Sequence, residues 1–77
     1  MTITIDLRLF ATLQKFSPPG AGAYEIEAGA SVATLVRLLG IPEIKAKLIF
    51  INGVKCTLSS ELKDGDRVGI FPPVGGG

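Results

Sequence analysis

"YEIEAGASVATLVRLLGIP", residues 24–42, changes its hydrophobic period partway along. Tyr24, Ile26 and Ala28 alternate with Glu25 and Glu27, the period-two pattern of a half-buried strand. From Val32 the spacing becomes i, i+3, i+4, i+7, so Val32, Leu35, Val36 and Leu39 share one face of a helix. Ser31 stands where an N-cap hydroxyl can accept an otherwise unpaired backbone N–H. Gly40 suits the left-handed position past the helix end, and Pro42 prevents continuation. A helix of about two and a half turns is too short to stand on propensity, so packing against other elements must hold it.

Those elements lie on either side. Upstream, Ile3, Ile5, Leu7 and Leu9 alternate with Thr2, Thr4, Asp6 and Arg8, which predicts another half-buried strand. Phe10 breaks the alternation by landing on the polar face. "ATLQKF" then leads into "SPPGAG" at 17–22, a run of turn formers that closes a hairpin with the strand at 24. Downstream, "LIFIN" at 48–52 is apolar on both faces, as expected of a strand buried between layers. Asn52-Gly53 predicts a type I′ turn, since both residues tolerate positive φ, and "VKC" returns as a short strand. Asp64, Gly65 and Asp66 form a further turn. The last strand, Arg67 to Phe71, points Val68 and Ile70 to the core and Phe71 outward, and Pro72-Pro73 end it because neither can donate to a ladder.

The order ββαβ, a short strand, then β predicts a two-layer α+β domain: a mixed sheet of four to five strands with one main helix packed on one face. A ferredoxin-like fold would need a second full helix, and Glu43 to Lys47 is too short for one. The domain is expected over residues 1–71, with 72–77 as an extended, flexible tail.

Composition removes several function classes. With 77 residues there is room for one domain, and its stability must come from a patterned core, which 47% hydrophobic residues supply. One cysteine and no histidine exclude an internal disulfide and an ordinary Cys/His zinc site. Eight basic and seven acidic residues leave a net charge of +1, spread along the chain, with no nucleic-acid footprint. The longest apolar run, Leu48 to Ile51, falls far short of the roughly 20 residues that span a bilayer. The alternating start lacks the form of a signal peptide, so a cytoplasmic protein is expected. Mean hydropathy is nonetheless high, at +0.45.

Catalytic constellations are equally scarce. Without histidine there is no Ser-His or Cys-His pair. The "GAGA" at 20–23 has Glu25 where a dinucleotide loop needs its third glycine, and no helix follows. Cys56 reads as a small, largely buried thiol with only Lys55 nearby as a cation. Glu25 and Glu27 share a solvated strand face, while Asp64 and Asp66 belong to a turn. Taken alone, the chain does not read as an enzyme.

What stands out is the end, "GIFPPVGGG" at 69–77. By strand parity Phe10 and Phe71 both leave the core face, and they meet if the first and last strands run parallel and adjacent. An apolar patch of that kind marks a protein interface. Beyond it, Pro72 to Gly77 can reach about 20 Å when extended. Glycines without a Cβ fit a channel closed to bulkier residues and deliver a carboxylate at the tip.

The ββαβ order with a terminal Gly-Gly resembles the β-grasp, ubiquitin-like sulfur carriers. "LFATLQKF" at 9–16, "DGDRVGIFPPV" at 64–74 and Gly76-Gly77 sharpen the resemblance to the molybdopterin synthase small subunit. The sulfur carrier of thiamine synthesis is next, and a ubiquitin-like protein modifier would have an equally suitable tail. The resemblance implies that an E1-like enzyme uses ATP to adenylate the Gly77 carboxylate, which then becomes a thiocarboxylate. It implies that the carrier binds no cofactor itself. A molybdopterin synthase large subunit, or a thiazole synthase, would receive the sulfur and hold the catalytic residues. In that scheme Gly75 and Gly76 pass through the partner's channel, Pro72 and Pro73 aim the tail, and Phe10 and Phe71 dock.

Overall fold

The computed structural model describes residues 1–73. Strand β1 (Thr2–Leu9) forms an antiparallel hairpin with β2 (Tyr24–Glu27), in the register Ile3↔Ile26 and Ile5↔Tyr24. Helix α1 (Val32–Leu39) follows, then β3 (Leu48–Ile51), β4 (Val54–Cys56) and β5 (Arg67–Phe71). The sheet runs β2-β1-β5-β3-β4. β5 enters the middle, parallel to β1 and antiparallel to β3. The expected mixed sheet therefore has five strands.

The helix signals act as their chemistry predicts. The Ser31 hydroxyl accepts from the Thr34 N–H at 3.3 Å, and Gly40 takes the left-handed conformation at φ 78°. The inward faces of β1, β3 and β5 (Ile5, Leu7, Leu9, Ile49, Ile51, Val68 and Ile70) bury against Val32, Leu35 and Val36 of α1. Each fully buried aliphatic side chain of this kind stabilises by about 1.5–3 kcal/mol, the main resource of so small a domain.

Two readings need correction. "LIFI" is not buried between layers, because the single helix covers only one face of the sheet. Ile49 and Ile51 are buried, whereas Leu48 and Phe50 face outward and are half-buried. Cys56 is half-buried rather than largely buried, and its thiol donates to the Val54 carbonyl at 3.3 Å.

"ATLQKF", which carries no periodic signal, forms a 3-10 helix over Ala11–Phe16. Its anchor is Leu13, which has no solvent exposure and closes one end of the core. A further short 3-10 turn, Glu43–Lys45, occupies the place where a second helix would have stood.

Register at the opposite end of the central strands is fixed by a hydrogen-bonded knot. Asp64 Oδ1 accepts from the Thr4 N–H at 2.8 Å, tying the 64–66 turn to β1. The Asp66 carboxylate accepts from the Lys63 N–H and from Asn52 Nδ2, both at 2.9 Å. Asn52 Oδ1 in turn accepts from the Arg67 N–H at 3.0 Å. Asn52 can do this because it sits in the left-handed region at φ 54°, followed by Gly53 at φ 82°, as the predicted turn requires. Among the described residues, no helix is long and apolar enough to cross a membrane.

Candidate functional site

Strand parity sends every second residue of the central strands to the face that α1 does not cover. The register places Arg8, Gly69, Phe50 and Lys55 in one cross-strand row on that face. The next row holds Leu48 opposite Phe71, and Phe10 follows immediately after Leu9↔Ile70. The Phe10 N–H donates to the Ile70 carbonyl at 3.2 Å, extending the parallel ladder by one bond beyond β1.

Phe10 and Phe71 therefore meet. Their rings stack with centroids 4.2 Å apart and planes 2° from parallel. Phe50 meets Phe71 edge to face at 5.8 Å and 86°. Such pairs contribute about 0.5–1.5 kcal/mol each beyond the area they bury. The cluster is not sealed, since Phe10 remains 36% exposed.

Gly69 explains how the rings lie. A Cβ at this position would stand 3.3 Å from Phe10 Cε2 and 3.9 Å from Phe71 Cε1. The absent side chain lets the rings close over Gly69, and beside them lies an open groove of about 440 Å³ whose lining includes Arg8, Phe10, Phe50, Arg67, Gly69 and Phe71. Arg8 is held in place by Asp6, with Nε to Oδ1 at 3.2 Å and Nη2 to Oδ2 at 3.3 Å. That hydrogen bond, with the Coulombic attraction behind it, raises the guanidinium pKa further and fixes its charge.

The chain leaves the sheet beside this cluster. The Phe71 carbonyl accepts from the Lys47 N–H at 3.0 Å, which anchors the last residue of β5. Pro72 is half-buried and Pro73 is exposed. The structure thus gathers Phe10, Phe71, Pro72 and Pro73 at one end of the sheet, while Gly75, Gly76 and Gly77 lie outside the described residues.

Sequence reasoning missed Phe50 and Gly69. Gly69 was accessible to parity, since Val68 and Ile70 facing inward force it outward. Phe50 was not, because all four residues of β3 are apolar and only the structure shows Ile49 and Ile51 as the inward pair. Among the described residues, no group of three or more Cys, Asp or Glu side chains is placed to hold a metal ion.

Comparison with known proteins bears on this geometry. The model of the ThiS family matches residues 7–77. A Pyrococcus furiosus structure provisionally assigned as molybdopterin converting factor subunit 1 is 31% identical, with a TM-score of 0.64 over 94% of this chain and 99% of that one. The Haloferax volcanii protein HVO 2177 is 26% identical, with a TM-score of 0.77 over 99% of this chain and 88% of that one. Small archaeal modifier protein 1 of H. volcanii shares the fold, with a TM-score of 0.68 at 20% identity over 94% of this chain and 99% of that one. A search of curated proteins finds no match.

Proposed function

Since the chain belongs to the ThiS family, with its ubiquitin-like β-grasp fold, we propose that it is a sulfur carrier for molybdopterin synthesis. Its reacting group is the Gly77 carboxylate, the last group of residues 72–77. A free carboxylate is a poor acceptor for sulfur, because its oxygen is a poor leaving group. A separate E1-like enzyme transfers AMP from ATP to that oxygen and releases pyrophosphate. Sulfide-level sulfur then attacks the acyl carbon, AMP leaves, and a thiocarboxylate remains.

This chain's own residues dock and deliver. The stacked Phe10–Phe71 pair at the root of the tail is the observation that carries the reading. It offers an apolar anchor at the point where β5 hands over to two prolines, whose restricted backbone directs the exit. The glycines that follow have no Cβ to obstruct a narrow passage.

The pathway is tested by supplying the thiocarboxylated chain separately to a molybdopterin synthase large subunit with its pterin precursor and to a thiazole synthase with its substrate. Sulfur transfer in the first reaction alone supports the proposal. Transfer in the second alone assigns the chain to thiamine synthesis. Gly77-dependent conjugates with protein lysines, formed without sulfur transfer, indicate a modifier instead.

A further inference from the structure

The uncovered face of the sheet carries an open groove and, beside it, a cation that forms no ion pair among the described residues. Gly69 lines the groove between its cross-strand neighbours Arg8 and Phe50, and the Phe10 and Phe71 rings close in over it to form one side. At about 440 Å³ the groove has the size of a small ligand pocket, typically about 300–1,000 Å³. Phe10, Phe50 and Phe71 give it an apolar side, and Arg8, Asn52 and Arg67 a polar one.

The polar groups around it are nearly all engaged. Arg8 is forked onto Asp6. Asn52 uses its amide nitrogen on Asp66 and its oxygen on the Arg67 N–H. Asp66 is turned toward the Lys63 N–H and Asn52. Arg67 lies across from Asp6 in the register, yet Asp6 is spent on Arg8. Among the described residues, the Arg67 guanidinium forms no ion pair. Lys55, exposed across from Phe50, adds a second positive charge to that side.

We propose that this groove seats a protruding apolar side chain of the partner protein, and that a neighbouring carboxylate of that partner binds Arg67. The inference rests on the reading of the uncovered face as the carrier's docking surface. The three phenylalanines select the apolar group, because the side of the groove they form recovers most from an apolar side chain laid against it. Charge selects its neighbour. A guanidinium presents a planar fork that matches a carboxylate with two parallel hydrogen bonds. A basic loop would meet Arg8, Arg67 and Lys55 with like charge, so the same arrangement discriminates among partners.

The test uses the ¹⁵N-labelled full chain and two short capped peptides, each with a central phenylalanine, flanked by aspartates in one and by lysines in the other. The aspartate peptide is expected to shift the amides of Arg67, Gly69 and Phe71, and to bind at least about tenfold more tightly than the lysine peptide. Gly69→Leu, which pushes the Phe10 ring aside and intrudes on the groove, and Arg67→Glu, at an exposed position, are each expected to weaken the aspartate peptide at least about tenfold. Amide dispersion reports that both variants are folded. Absence of shifts at those amides, equal binding of the two peptides, or unchanged affinity in either variant overturns the proposal. The titration needs neither activating enzyme nor sulfur. A chain that binds the aspartate peptide but never accepts sulfur would sink the carrier reading and leave this one standing.

Discussion

Phe10 and Phe71 stand face to face, 4.2 Å between centroids, because β1 and β5 run side by side in the same direction and end together. The parallel pairing is the cause. Had β5 run antiparallel to β1, the residues at the ends of the two strands would lie at opposite edges of the sheet. The same pairing puts the exit of β5 beside the stack, so the patch and the root of the tail are one feature.

Phe71 touches both other rings, whereas Phe10 touches only Phe71 among them. Phe71→Ala is therefore expected to destabilise the domain more than Phe10→Ala, by about 0.5–1.5 kcal/mol for the additional aromatic pair. Urea unfolding of the two variants measures the difference. Both should lose at least about tenfold in affinity for the activating enzyme by calorimetry. Equal stabilities would show that the edge-to-face contact with Phe50 contributes nothing.

Gly69→Ala puts a methyl 3.3 Å from Phe10 Cε2, closer than the ring can accept without moving. The domain should stay folded, at a cost below about 3 kcal/mol, because an exposed ring can swing aside more easily than a core side chain. The signature is a change in aromatic chemical shifts of Phe10 larger than those of Leu13 or Leu35. Unchanged Phe10 shifts would mean that the stack does not depend on the glycine.

How much of this was legible beforehand depended on whether a pattern had room to repeat. β1, α1 and the turn at Asn52-Gly53 were readable because alternation, the 3.6-residue period and positive-φ residues each leave a distinct trace. The Phe10–Phe71 meeting follows from parity for two strands that run as parallel neighbours. The 3-10 helix at Ala11–Phe16 was not readable, since six residues with one buried anchor, Leu13, show no period. The outward turn of Phe50 was not readable because an all-apolar strand looks the same whether or not a second layer covers its outer face.

Leu13 tests the part the pattern missed. It is fully buried, so Leu13→Ala should cost about 2–5 kcal/mol. Leu38→Ala, on the exposed face of α1, should change stability by less than about 0.5 kcal/mol. Thermal melts of the two variants give the comparison. A small effect at Leu13 would place it outside the cooperative core.

Asp66 holds two donors from different segments, the Lys63 N–H and Asn52 Nδ2. Asp66→Ala frees both, with an expected loss of about 1.5–3 kcal/mol where the acceptor is charged. Hydrogen exchange should quicken first at Lys63 and Arg67, while the amides of α1 keep their protection. Uniform quickening would indicate global destabilisation rather than a released turn.

The central claim concerns the Gly77 carboxylate, and the intact mass of the chain reads it directly. After incubation with an E1-like activating enzyme, ATP and a sulfide donor, the account predicts the mass gain of one oxygen replaced by sulfur. That gain should vanish when ATP is omitted or Gly77 is deleted. An unchanged mass in the complete reaction, with the enzyme active on its own carrier, would contradict it.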